Sequence, residues 1–273
     1  MAKVMVVTSG KGGVGKTTST AALGAALAQA GERVVVVDFD VGLRNLDLVM
    51  GAERRVVFDF VNVVQGDAKL SQALIRDKRV ETLSLLPASQ TRDKDALSPE
   101  GVARVMDELR DRFDWVICDS PAGIEKGATL AMYHADTAVV VTNPEVSSVR
   151  DSDRIIGLLD SKTQKAERGE KVDKHLLLTR FDRARAARGE MLKTEDVLEI
   201  LSIPLLGIIP ESEEVLRASN TGTPVTLSNP SSAPARAYFD AVKRLRGEDL
   251  PVVIPSAAKR SFMGKLFGRR AMA

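Results

Sequence analysis

Cysteine, aromatic residues and long apolar runs are all scarce in this sequence, and each shortage removes a class of protein. A single cysteine, Cys118, stands among 273 residues. That excludes a disulfide within the chain and any multi-cysteine zinc or iron–sulfur site built from one copy, and it points to a reducing compartment. Aromatic residues are 4% of the chain while apolar residues reach 44%. A core of Ala, Val and Leu suits helices packed on a parallel sheet better than two sheets sandwiching aromatics. No stretch approaches the roughly 20 apolar residues that span a bilayer. The opening Met1 to Val7 runs directly into glycines, leaving no room for the apolar region of a signal peptide, so the expected location is the cytoplasm.

Acidic residues also stop early. None follows Asp249, while Lys259, Arg260, Lys265, Arg269 and Arg270 lie beyond it. Removing those five from the 39 basic residues leaves 34 against 37 acidic ones, a body of −3 carrying a tail of +5. This is a basic appendage on a mildly acidic globule.

Apolar periodicity predicts buried strands at 4–8, 34–37, 83–86, 115–118, 138–141, 176–178 and 206–209, mostly separated by helical patterns. One helix runs from about Thr17 to Ala30 and is closed by Gly31; another starts at the Ser98-Pro99-Glu100 cap and runs to about Phe113. The order implies an α/β fold, a mainly parallel sheet flanked by helices with ligands at the carboxyl ends of the strands. The polar stretch 161–173 reads as a surface excursion. The division expected is a main α/β domain over 1–247, a linker over 248–256 and a tail over 257–273.

The segment Gly10-Lys11-Gly12-Gly13-Val14-Gly15-Lys16-Thr17, followed by Thr18, fits G-x-x-x-x-G-K-[ST] and lies between a strand and a helix, where a P-loop belongs. Glycines let backbone N–H groups turn inward around phosphates, and the helix N-terminus adds positive potential. Lys16 is expected to reach the β- and γ-phosphates of ATP, and the Thr17 hydroxyl to bind Mg²⁺ directly. Three aspartates follow buried strands at the same edge. Asp40 and Asp119 suit Mg²⁺ and water chemistry, whereas Asp38 shares the position without an assigned role.

Lys11, at the start of the loop in Lys-Gly-Gly-Val-Gly-Lys-Thr-Thr, resembles the signature lysine of the deviant Walker A ATPases of the ParA/MinD family. The resemblance implies a homodimer sandwiching two ATP molecules, with Lys11 crossing to the partner's nucleotide in place of an arginine finger. By the same resemblance Asp40 orients or activates the attacking water. Asp119, in Asp119-Ser120-Pro121-Ala122-Gly123, holds Mg²⁺ through water and begins a switch that senses the γ-phosphate. The blocks from Asp38 to Asp47, Pro87 to Asp95, Asp119 to Glu125 and Thr142 to Arg154 are similar to the members of that family that select the division site. They imply an ATPase that recruits a MinC-like division inhibitor to the membrane and is released by a MinE-like ATPase activator. The charged helix from Ser147 to about Asp160, with Asp151, Asp153 and Arg154, resembles the partner-binding surface, and Asn45 in the first block joins it as a candidate contact. Arg180, Pro210 and Glu211 occupy places that contact adenine in the family, where recognition is often through backbone atoms.

The tail suits such a cycle. In a helix from about Ala258 to Arg270, Phe262, Met263, Leu266 and Phe267 share one face, Lys265 points away and Arg269 flanks it. At about 20 Å it is too short to span a bilayer and would lie on an anionic surface, binding the cytoplasmic face of the cell membrane reversibly. A ParA-type DNA-partition ATPase is the alternative; it needs a basic DNA-binding face, which this acidic body does not offer. An iron–sulfur carrier needs more cysteines, and a ligase on the same scaffold has no evident use for the tail.

Overall fold

The computed structural model describes residues 2–255; the candidate membrane residues Phe262, Met263, Lys265, Leu266, Phe267 and Arg269 lie outside the described residues. The strands are β1 (Lys3–Thr8), β2 (Val34–Asp38), β3 (Ile75–Arg76), β4 (Leu83–Leu86), β5 (Trp115–Asp119), β6 (Thr137–Thr142), β7 (Asp173–Phe181) and β8 (Leu205–Pro210). They form one sheet in the order β3-β4-β2-β5-β1-β6-β7-β8. Every pairing is parallel except β3 with β4. The two-residue β3 escaped the sequence because so short a piece has no period, and β7 extends beyond its apolar run because β6 and β8 pair with it on both sides.

Both faces of the sheet are covered, which is why the strands read as unbroken apolar runs. Val4, Val6, Val35, Val37, Val116, Cys118, Val140 and Leu178 point to one core. Met5, Val7, Val34, Val36, Ile117, Val139, Val141 and Leu177 point to the other. The alternation is the period of two that a strand imposes. The first core receives helices Pro99–Arg112, Lys126–Tyr133, Val146–Leu159 and Thr194–Leu201. The second receives Lys16–Gln29 and Ala233–Leu245. Gly24 lets the first of these approach the sheet: a Cβ there would lie 2.7 Å from Val36 Cγ1. The Ser98 hydroxyl accepts the Gly101 N–H at 3.2 Å, as its cap position predicts. Cys118 is buried, its thiol pushed up to about 12 by desolvation, and is chemically inert.

Candidate functional site

The middle of the sheet places the site. β1 ends at Thr8, and residues 9–15 loop over its carboxyl end before the helix begins at Lys16. The turn needs left-handed backbone at Gly13 (φ 76°) and Gly15 (φ 97°), which only glycine adopts without strain. The loop is tied to its surroundings: Gly123 N–H donates to Ser9 O at 3.1 Å, and Thr179 Oγ1 donates to Val14 O at 2.7 Å. Its start is wedged against the Val146–Leu159 helix, where a Cβ on Gly10 would meet the Asp151 backbone at 2.3 Å.

Lys16 is 7% exposed, and its ammonium donates to Ser9 Oγ at 2.9 Å. Burial lowers its pKa, while the charges of Asp119 and Asp40 pull it up again. Asp119, at the end of β5, accepts Thr20 Oγ1 at 3.0 Å and is hydrogen-bonded by the Thr17 hydroxyl. Desolvation raises its pKa to about 6 against the opposing effect of those hydroxyls and Lys16. Asp38, at the end of β2, is fully buried and accepts the N–H groups of Asp40 at 2.9 Å and Leu46 at 3.2 Å. Burial first, and the charge of Asp119 second, push its pKa well above the carboxylate range. Asp38 thereby closes the 38–46 loop that carries Asp40, a role the sequence left open.

Lys16, Thr17, Asp40 and Asp119 therefore converge, as the spacing predicts. Lys11 is placed elsewhere: its ammonium binds Glu145 Oε2 at 3.2 Å and Ser147 Oγ at 3.1 Å in the same chain, at the start of the Val146–Leu159 helix. Arg180, Pro210 and Glu211 come together at the carboxyl ends of β7 and β8. Pro210 is the register partner of Phe181, and Glu211 N–H donates to Phe181 O at 3.0 Å. Arg180 is exposed with left-handed backbone (φ 52°). Asp153 and Arg154 are exposed on that helix while Ser148, Val149, Ser152, Ile155 and Leu159 are buried. Asn45 is exposed just before the short helix Leu46–Val49. Sequence reading did not find Ser9, Thr20, Glu145 or Ser147. Thr20 had a signal, lying three residues after Thr17 on one helix face; the others are brought in by tertiary contact.

Buried polar atoms without a hydrogen-bond partner collect along this edge, Thr8 Oγ1 at the end of β1 and Asn143 Oδ1 just after β6 among them. With a left-handed glycine loop and a buried ammonium held by a neutral hydroxyl, the Thr8 hydroxyl, which can donate, fits a bound polyanion, whereas Asn143 Oδ1 can only accept and suits an N–H or a water. Among the described residues no three His, Cys, Asp or Glu side chains form a ready-made metal cage. A cation here would need oxygens from Thr17, the ligand and water.

A glycine loop between a central strand and a helix, on a parallel sheet wrapped by helices, defines a P-loop nucleotide-binding protein. The CobQ/CobB/MinD/ParA nucleotide binding domain matches residues 5–225. The septum site-determining protein MinD of Escherichia coli (strain K12) is 62% identical over 270 residues, 98% of this chain and 100% of that protein. The MinC:MinD cell division protein complex of Aquifex aeolicus contains a chain that superposes with a TM-score of 0.83 at 41% identity, covering 93% of this chain and 99% of that one. MinD complexed with Mg-ADP from Pyrococcus horikoshii OT3 superposes with a TM-score of 0.80 at 30% identity, covering 90% and 97%. The chain belongs to the CobQ/CobB/MinD/ParA nucleotide-binding family and, within it, to the septum site-determining MinD proteins.

Proposed function

We propose that this chain is an Mg²⁺-dependent ATP hydrolase that works as a membrane switch: it dimerises over ATP, binds the cell membrane through its C-terminal tail and recruits a MinC-like division inhibitor. A MinE-like activator then stimulates hydrolysis and releases it. The observation that carries the reading is the buried Lys16 beside Asp119 and Asp40 at the mouth of a left-handed glycine loop. The relatives add support, since a structure of one holds Mg-ADP and one was solved with MinC.

When bound, ATP supplies the bond to be broken and Mg²⁺ neutralises phosphate charge. Lys16 would exchange Ser9 Oγ for phosphate oxygens, and the backbone N–H groups of 10–18 would hold the rest. Thr17 would give its hydroxyl to the cation, with Asp119 and Asp40 holding the cation's water. Asp40, on a loop closed by Asp38, would orient the attacking water. Lys11 would leave Glu145 and Ser147 to reach a second copy's nucleotide; both members of that ion pair are about half exposed, at 41% and 51%, so its loss costs at most about 1 kcal/mol. Arg180, Pro210 and Glu211 would line the adenine.

Sedimentation with anionic vesicles in ATP, ADP and a non-hydrolysable ATP analogue tests the reading. Strong binding in ATP and the analogue with only weak binding in ADP, the strong binding lost in Leu266→Glu with nucleotide affinity retained, is the expected result. ATP-dependent DNA binding in place of vesicle binding would favour the partition ATPase instead.

A further inference from the structure

The point at which the chain leaves its body is built by one side chain. The helix Ala233–Leu245 ends in a turn where Gly247 (φ 93°) donates its N–H to Arg244 O at 2.9 Å and Glu248 donates its own to Lys243 O at 3.0 Å. This pair of bonds reverses the chain after a helix. Arg244 then grips the reversed strap. Its Nε donates to Leu250 O, one terminal nitrogen to Pro251 O and the other to Leu206 O, each at 2.7 Å. A planar guanidinium meets three carbonyls at once, and each such charge-assisted bond is stronger than one between neutral groups. Val252 packs against the core. Val253 and Ile254 then stand exposed, at 74% and 43%. The first residues of the segment expected to be a linker are therefore docked, and the free tether begins at Val253.

The place of docking is equally defined. Leu206 lies at the amino-terminal end of β8, an edge strand of the sheet. Asp38, Asp119 and the phosphate loop lie at the carboxyl ends, about 17–20 Å away along a strand of this length. Arg244 thus docks the strap at the opposite edge to the nucleotide site.

We propose that Arg244 is a positioning residue for membrane attachment, fixing both the exit point and the short reach of the C-terminal tail. This rests on the membrane reading above. With the strap docked, the tail is tethered by about four residues; undocked, by about nine. The effective concentration of a second tail at the surface falls as roughly the −3/2 power of tether length, so loosening both straps of a dimer lowers its avidity about threefold.

Arg244→Ala in the full chain is the direct test. Glutamyl endopeptidase should cut faster after Glu248, and the concentration of phosphatidylglycerol vesicles needed for half-maximal binding in ATP should rise about threefold. ATP hydrolysis without lipid and the weak binding in ADP should not change; a general loss of stability would move both. Inserting about five Gly and Ser residues after Val252, with Arg244 intact, should reproduce the weaker binding without disturbing the fork. Arg244→Lys, which presents a single ammonium, should fall between wild type and Ala. Cleavage as slow as wild type in Arg244→Ala, or fast cleavage with wild-type vesicle binding, would overturn the proposal. If the wild-type chain does not sediment in ATP, the membrane reading falls and takes the positioning role with it, while the cleavage rates still report whether Arg244 holds the strap.

Discussion

Asp38 and Asp119 are direct register partners at the carboxyl ends of β2 and β5, two buried carboxylates side by side with Lys16 as the nearby cation. Desolvation holds both pKa values up; the charge of Asp119 adds to it at Asp38, and the charge of Asp40 adds to it at Asp119, which is pushed up to about 6. An unfolded aspartate titrates near 3.9, so the folded protein holds this proton more tightly. The stability it contributes is full below about pH 4 and is lost as pH rises to about 6, a cost of about 3 kcal/mol at neutral pH. Asp119→Asn should therefore raise the Tm of the nucleotide-free protein at pH 7 by several degrees, with little difference at pH 4, while abolishing hydrolysis. Calorimetry across pH checks the first part and phosphate release the second; an unchanged Tm at pH 7 would contradict the strained-carboxylate account.

Gly10 and Gly12 separate packing from loop conformation. A Cβ on Gly10 would penetrate the Asp151 backbone at 2.3 Å, whereas one on Gly12 would rest 4.0 Å from Ala122 Cβ. Backbone cannot rotate away, so Gly10→Ala should cost about 1–3 kcal/mol, against about 0.5 kcal/mol or less for Gly12→Ala. Denaturant unfolding of both variants without nucleotide gives the comparison.

The two loop lysines should fail differently. Lys16→Ala removes a buried ammonium that no other residue replaces, and nucleotide affinity should fall at least about 10- to 100-fold in equilibrium binding of labelled ATP. Lys11→Ala removes an exposed pair with Glu145. It should bind ATP near the wild-type level and fail instead in ATP-dependent dimerisation, read by light scattering. Normal dimerisation and hydrolysis by Lys11→Ala would refute the cross-subunit role.

Asp153 and Arg154 face solvent, and the Arg154–Asp151 pair is long, at 4.0 Å. Replacing either with Ala should change stability by about 0.5 kcal/mol or less. Basal ATPase and vesicle binding should be retained while capture of a MinC-like or MinE-like partner weakens. Undiminished pull-down of both would remove this helix face from the interface.

Most of the architecture was legible because it depends on near neighbours in sequence. Buried runs such as Val34 to Val37 declare a doubly covered strand, and the glycines of 10–15 with Lys16 and Thr17 declare a phosphate loop, since spacing along one turn fixes that chemistry. Asp40 and Asp119 were legible as ends of such runs. What the sequence could not contain was any relation between distant positions: Lys11 on Glu145, 134 residues apart, Gly10 against Asp151, and Arg244 on the carbonyl of Leu206. Strand order decides those contacts, and strand order is settled by how the whole sheet buries its two faces. The raised pKa of Asp119 has the same origin: its neighbours in sequence mark it as a strand-end carboxylate, but burial in the assembled sheet, with the charge of Asp40 added to it, raises its pKa.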